Sequence, residues 1–179
     1  MRAGIIIAAL LAQALGVAAF FGAALTAPSR HLRAASALRM MTVSIDLKGK
    51  ERLQKYLKDC ELLGPVRFVS MNDGAILEAV GSFENLRFND LEKGTYATLS
   101  GDDEGFECHL NIDRVNGITM LTKPAKDASH DLYITRFVDA EGKTVLSAML
   151  QAEGGQYEEG AVAYWTKLRE AFGAEQKLQ

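Results

Sequence analysis

Short runs of alternating apolar and polar residues fill the second half of the chain, and this two-residue period is typical of β-strands. The clearest stretch is 106–150, in which three or four runs rich in Ile, Leu, Val, Thr, Phe and Tyr are separated by clusters of Asn, Gly, Asp, Lys and Pro. Consecutive antiparallel strands have this composition, so we predict a β-meander. Its first run has an apolar face and a polar face, with Phe106, Cys108, Leu110 and Ile112 on the first and Glu107, His109 and Asn111 on the second.

The predicted strands 132–138 and 144–151 form the closing hairpin of this stretch. Gly142 ends the turn between them, because glycine adopts a positive φ without steric cost. Another strand is predicted at 118–122 and ends at Lys123-Pro124. Upstream, the pattern predicts a hairpin of 66–71 with 75–80, a strand at 96–100, and a loop with some strand character over 82–94.

Two segments have helical rather than strand periodicity. In 48–62, Leu53, Tyr56, Leu57 and Cys60 are spaced three and four residues apart, and Gly64-Pro65 ends the helix. In 158–172, Val162, Trp165, Leu168 and Phe172 have the same spacing. The predicted fold is therefore α+β, an antiparallel meander sheet with an N-terminal and a C-terminal amphipathic helix packed on it.

The first forty residues have the composition of targeting segments. Residues 3–27 are almost entirely apolar behind Arg2, as in a secretory signal, and the part that follows Phe20 is rich in Arg, Ser and Ala without acidic residues, as in a transit peptide. Together they resemble the bipartite presequence of algae with complex plastids. We predict a removed presequence over 1–40, one domain over 42–173, a polar tail over 174–179, and a location in the plastid stroma. The alternative is a membrane anchor over 5–24, or secretion.

Charge and cysteine content narrow the function classes. The first forty residues hold four arginines and no acidic residue, which leaves 16 basic against 23 acidic residues, about −7, for the rest of the chain. An acidic domain without a cluster of Lys and Arg argues against nucleic acid as a partner. The cysteines, Cys60 and Cys108, lack the spacing of a zinc site or a disulfide framework, so we expect reduced thiols.

Sequence pattern alone specifies no reaction. The chain after residue 40 contains neither a defensible Ser-His-Asp spacing nor a glycine-rich phosphate loop nor a carboxylate–histidine metal cluster. His109, on the polar face of a strand, is a candidate iron ligand because a neutral imidazole nitrogen binds haem iron. His130, in the loop KDASHD, is a candidate ligand-binding residue because exposed loops commonly carry ligand contacts. The cations of Lys123, Arg114 and Arg136 could pair with ligand carboxylates. Structural or solvated roles are the alternatives for all five residues.

Four segments in order resemble one half of the HemS/ChuS haem-utilisation proteins and the related single-domain ChuX/HutX group: VRFVSMNDGAILEAVGSFEN, FECHLNIDRVNGITMLTKP, DLYITRFVDAEGKTVLSAML and AYWTKLREAF. The resemblance covers roughly residues 63–172. It implies an antiparallel α+β domain that binds haem or a related tetrapyrrole, and it implies a homodimer, since dimers of the single-domain group replace the tandem halves of the larger proteins.

Three functions remain open at this point. The first is a plastid protein that carries or buffers haem without stable membrane insertion of the mature domain. The second is a haem-degrading enzyme of the HemS/ChuS type, with His109 or His130 as the iron ligand. The third is a non-catalytic interaction or assembly subunit that keeps the fold without the ligand, because the segment before the sheet holds no histidine.

Overall fold

The computed structural model describes residues 47–101, 105–127 and 129–178. The predicted presequence lies outside these residues. The described part contains helices α1, Gly49–Asp59, and α2, Ala161–Phe172. The first six strands are β1 Val66–Met71, β2 Ile76–Gly81, β3 Arg87–Leu91, β4 Gly94–Ser100, β5 Glu107–Asn111 and β6 Gly117–Pro124. The remaining strands are β7 Asp131–Val138, β8 Thr144–Leu150, β9 Ala152–Glu153, β10 Gln156–Tyr157 and β11 Glu175–Lys177.

The main sheet has six antiparallel strands in the order β11-β6-β7-β8-β1-β2. The predicted closing hairpin is confirmed: β7 pairs with β8 through a turn in which Gly142 has a φ of +78°. The Asp139 carboxylate accepts the backbone N–H of Lys143 at 2.8 Å, which fixes that turn. The α+β class and the two flanking helices are also as predicted.

A second sheet holds β3, β4 and β5, so the predicted single meander is wrong in one respect. Strand β5 pairs with β4 rather than with β6, because a 3-10 turn at Ile112–Arg114 redirects the chain between β5 and β6. The segment predicted as a loop over 82–94 contains β3. Its side chains are mostly exposed, so the strand lacks the apolar alternation that sequence analysis requires.

The core lies between the helices and one face of the main sheet. Leu53, Tyr56 and Leu57 of α1 are fully buried, as the helical spacing predicts. From α2, the indole Nε1 of Trp165 donates to Thr135 of β7. The apolar face predicted for the strand around His109 is confirmed, with Leu110 and Ile112 in the core. Both helices therefore contact the same face of the main sheet.

The C-terminal residues differ from the predicted polar tail. Glu175–Lys177 pair with β6 as an edge strand, and Leu178 is buried against the core. Three residues of mixed charge carry too little periodicity to predict a strand. No helix in the described part of the chain is long and apolar enough to cross a membrane.

Candidate functional site

The second face of the main sheet, here called the open face, is the one that α1 and α2 do not contact. Strand alternation assigns it two cross-strand rows: Leu121, Ile134, Met149, Arg67 and Val80 in one, and Thr119, Arg136, Ser147, Val69 and Glu78 in the next. Each row contains one arginine; the rest of the first row is apolar, with Ile134 only 2% exposed, whereas the second row holds Val69 beside polar Thr119, Ser147 and Glu78. The open face can therefore hold a flat apolar molecule and also pair with a negative charge on it.

A pocket of about 690 Å³ lies at one end of the open face. Its floor is apolar, formed by Leu132 and Met149, and Arg67 and Glu78 line one side. The loop that joins β6 to β7 supplies the opposite side with Lys126 and His130. This volume is within the usual range for small-molecule sites, roughly 300–1,000 Å³. The pocket therefore joins an imidazole, an apolar surface and two cations.

The hydrogen bonds around His130 determine which of its nitrogens carries the proton. Ser129 Oγ lies 2.7 Å from an oxygen of Asp127 and 2.8 Å from Nδ1 of His130. A hydroxyl has one proton, and an ionised carboxylate has none to donate, so Ser129 donates to Asp127 and accepts from Nδ1–H. The neutral imidazole then has its lone pair on Nε2. That tautomer, held by a second polar group, is the one a metal-binding histidine needs.

Asp127 is the final acceptor in this chain of hydrogen bonds. Hydrogen bonds from the side chain and backbone of Ser129 hold the pKa of the Asp127 carboxyl below its usual value, so it is ionised at neutral pH. The His130 ring also contacts the Tyr157 ring in an edge-on arrangement, with 5.8 Å between the ring centroids. The imidazole is therefore oriented by contacts on two sides.

His109 lies on the second sheet, away from this pocket. Its Nδ1 is 3.0 Å from Oγ1 of Thr98, and its Nε2 is 3.6 Å from a carboxylate oxygen of Glu107. Both ring nitrogens thus face protein partners. The side chain is 54% exposed, as the predicted polar face requires, and no described pocket is lined by it.

The three predicted cations are divided between two places. Arg136 and Lys123 project from the open face, and Lys123 pairs in register with Leu132 of the pocket floor. Arg114 is exposed in the 3-10 turn that follows β5, outside the open face. The structure therefore brings His130, Lys123 and Arg136 to one side of the sheet, and it keeps His109 and Arg114 apart from them.

The predicted site residues do not include Arg67, Met149 and Gln151, which also line the pocket. Alternation carries the signal for Met149, because Ala148 and Leu150 on either side are buried while Met149 is only half-buried. The signal for His130 is the spacing Asp127-x-Ser129-His130, in which short polar side chains bond locally in a turn. Nothing in the sequence marks Arg67, since its partners Glu78 and Gln151 are on other strands or beyond them.

The donor set of the pocket fits a tetrapyrrole better than a bare metal ion. Across residues 47–101, 105–127 and 129–178, no group of three or more His, Cys, Asp or Glu side chains is arranged to hold a metal. One imidazole with a free Nε2, an apolar floor and cations match a planar apolar ligand with a central metal and peripheral carboxylates.

Comparison with known proteins gives a family match over most of the chain. The family model for haem utilisation ChuX/HutX matches residues 47–168. No curated protein sequence matches the chain.

Solved structures share the fold at low sequence identity. ChuX, described as a heme-binding protein, is 16% identical with a TM-score of 0.56, over 69% of this chain and 74% of that one. A protein from Agrobacterium tumefaciens is 16% identical with a TM-score of 0.57, over 80% and 91% of the two chains. ChuS, described as an E. coli heme oxygenase, is 14% identical with a TM-score of 0.50, over 69% of this chain and 35% of that one.

Proposed function

The chain belongs to the haem-utilisation ChuX/HutX family, and from this premise we propose that it is a haem-binding protein that carries or buffers haem in a plastid. The observation that supports haem as the ligand is the pocket on the open face. There, the lone pair of His130 Nε2, the apolar floor and the cations of Arg67 and Lys126 line one cavity. Bound haem would supply an iron centre with an open coordination position for the imidazole.

Titration of the purified protein with hemin tests this proposal. We expect a shifted Soret band that saturates near one haem per chain. We also expect quenching of Trp165, the only tryptophan, because ring contacts through Tyr133 and Tyr157 connect it to His130 in the pocket. If the Soret band neither shifts nor saturates, the remaining function is that of an interaction or assembly subunit that keeps the fold without the ligand. In that case haem binding is excluded.

Matched histidine variants then test the ligand. His130→Ala should alter the Soret position and weaken binding, because it removes the only pocket imidazole among the described residues. His109→Ala is the control, since that ring is engaged by Thr98 and Glu107 on the other sheet. Equal spectra for the wild type and both variants would exclude ligation by either histidine.

Adding a reductant to the haem-loaded protein distinguishes a haem carrier from a haem-degrading enzyme. We expect the haem spectrum to persist for hours with ascorbate or a ferredoxin system, as a carrier requires. Progressive loss of the Soret band with appearance of a linear tetrapyrrole would instead identify a haem-degrading enzyme.

The plastid location rests on the sequence of the first forty residues. A fluorescent fusion of residues 1–45, expressed in an alga with a complex plastid, should accumulate in the stroma. Retention of the fusion in the secretory pathway or in a membrane would contradict this location.

We also propose that the protein is a homodimer. Strand β2 is the edge of the main sheet, and the hairpin it forms with β1 exposes large apolar side chains on both faces: Met71, Ile76, Leu77 and Val80, each 51–71% exposed. Apolar edge strands of this kind favour pairing with another strand. A second copy of the chain supplies a matching strand, since two β2 strands can pair antiparallel about a two-fold axis.

A further inference from the structure

Arg67 occupies a prearranged position at one side of the open-face pocket. Its Nε donates to Oε1 of Gln151 at 3.1 Å, and its Nη1 donates to Oε2 of Glu78 at 2.9 Å. Gln151 is itself oriented, because its Nε2 donates to the carbonyl of Ala152 at 3.0 Å. Two contacts, one with Glu78 on β2 and one with Gln151 just after β8, therefore fix the plane of the guanidinium.

The guanidinium keeps donor capacity that the protein does not use. An arginine offers five N–H donors in a planar fork, and no described residue accepts a hydrogen bond from Nη2 of Arg67. Nη1 and Nη2 form the edge that matches a carboxylate bidentately. Glu78 occupies one half of that edge, and its side chain is 48% exposed, so it can turn into solvent when another carboxylate arrives.

Among the charged groups that line the pocket, Arg67 is the cation best placed to bind a ligand carboxylate. Lys126 is exposed in the loop between β6 and β7, and a flexible ammonium there is strongly hydrated. Asp127 is already bonded to Ser129 and does not compete for the guanidinium. The Arg67 side chain is partly exposed, at 41%, but Gln151 and Glu78 hold its guanidinium in place at the pocket that Met149 also lines.

We propose that Arg67 is the residue that binds a carboxylate of the pocket's ligand, and that Glu78 competes with this carboxylate for the Nη1–Nη2 edge. This inference rests on the proposed haem site and deepens it. The ligand would be a porphyrin with free propionate groups; Arg67 would hold a carboxylate of it, and Leu132 and Met149 would contact its ring. Arg67 and Glu78 together then set the affinity for the charged end of the molecule.

Metal-free porphyrins test the role of Arg67 without iron ligation. The full chain is titrated with protoporphyrin IX and with its dimethyl ester, which has the same ring but neutral side groups. The variants are Arg67→Gln and Glu78→Gln. The controls are Arg87→Gln and Glu107→Gln, which alter a similar cross-strand ion pair, 3.8 Å between charged atoms, on the second sheet.

We expect Arg67→Gln to weaken protoporphyrin binding roughly tenfold, the size of one charge-assisted hydrogen bond, and to leave the ester unchanged. Glu78→Gln should tighten protoporphyrin binding about threefold by removing the competitor, and both control variants should bind like the wild type. Circular dichroism verifies that each variant is folded.

Three outcomes would overturn the inference in different ways. If the wild type binds both porphyrins and Arg67→Gln weakens them equally, or weakens neither, Arg67 does not bind the carboxylate although the porphyrin site stands. If the wild type binds hemin but neither metal-free porphyrin, iron ligation carries the binding and Arg67 does not hold the carboxylate; if it does not bind hemin either, the proposed haem site itself fails. Because Glu78 lies exposed on an edge strand, Glu78→Gln still gives a result if Arg67→Gln does not fold.

Discussion

Gly81 at the end of β2 is a position where one added methyl group has no space. A Cβ there would lie 2.4 Å from ring carbon Cδ1 of Phe106, and that ring is stacked on Phe68 with 4.9 Å between centroids. The ring cannot move away without disturbing the core. We therefore expect Gly81→Ala to lower the free energy of unfolding by about 1–3 kcal/mol, measured by urea denaturation.

Gly74, in the turn of the same hairpin, provides the control for this prediction. The nearest atom to its Cβ would be Oδ1 of Asn72 at 3.7 Å, which is an ordinary contact. Gly74→Ala should therefore change the stability much less than Gly81→Ala. Equal urea midpoints for the two variants would show that the ring of Phe106 accommodates the methyl group.

The two histidines differ in how much of their surroundings can be predicted from the sequence. The face of His109 follows from alternation alone, because neighbouring residues in a strand point to opposite sides. The role proposed for His130 depends on a hydrogen-bonded turn and on Tyr157, which is 27 residues away in sequence. Such a contact is non-local, so single-sequence periodicity carries no information about it.

A polar cluster connects α1 to the second sheet. Nζ of Lys50, near the start of α1, is 2.5 Å from one oxygen of Asp113 and 2.8 Å from Oγ1 of Thr95. The other oxygen of Asp113 accepts the backbone N–H of Thr95 at 2.7 Å. These hydrogen bonds, from Lys50 first and then Thr95, lower the pKa of the Asp113 carboxyl in the folded protein.

The lowered pKa of Asp113 predicts a pH dependence of stability. The unfolded chain binds this proton at a higher pH than the folded protein, so the stabilisation is complete above about pH 4 and is lost as the pH falls through the folded pKa. Asp113→Asn should lower the free energy of unfolding by roughly 1 kcal/mol or less at pH 7, because the cluster is partly exposed to solvent.

Urea unfolding at pH 7 and at pH 3 measures this effect. The stability difference between the wild type and Asp113→Asn should shrink at pH 3. Glu170→Gln is the control, since that carboxylate pairs with Lys167 on the surface of α2, away from the cluster. A difference that stays constant between the two pH values would mean that the charge of Asp113 does not stabilise the fold.

Helices and strands that bury one continuous face are predictable from the sequence pattern. Both helices and the strands β7 and β8 have a long apolar period, so their positions were predicted within a few residues. Strands β3 and β11 were not predicted, because edge strands of three to five residues bury few side chains. Backbone pairing with an adjacent strand defines these strands, and amino-acid composition does not predict that pairing.

The described part of the chain contains three sheets where the sequence predicts one: the main sheet, the sheet of β3, β4 and β5, and the two-stranded pair of β9 and β10. Strands β5 and β6 have the same apolar alternation, and only their partners, β4 and β7, assign them to different sheets. The pocket has the same non-local origin, since its lining comes from β1, β2, the β6–β7 loop, β7, β8, β9 and the turn after β9. Periodicity predicts local elements and faces, and pairing over long sequence distances is needed to build a site from them.

The exposed edge at β2 leads to a prediction about assembly. The strand carries one charged residue, Glu78, and neither the lysine nor the proline with which edge strands commonly avoid pairing. Sedimentation equilibrium of the mature protein should therefore give twice the mass of its single chain. Leu77→Asp should shift the equilibrium to monomer, with a dissociation constant raised roughly a hundredfold or more, because an unpaired charge would be buried in the interface.

Leu91→Asp is the control for this substitution, because Leu91 is similarly exposed, at 59%, but lies on β3 of the second sheet. If the dimer forms through β2, Leu91→Asp stays dimeric while Leu77→Asp does not. A wild type that sediments as a monomer at all concentrations contradicts the homodimer. A dimer that survives Leu77→Asp but dissociates with Leu91→Asp would instead locate the interface on the second sheet, and the apolar edge at β2 would then require another partner.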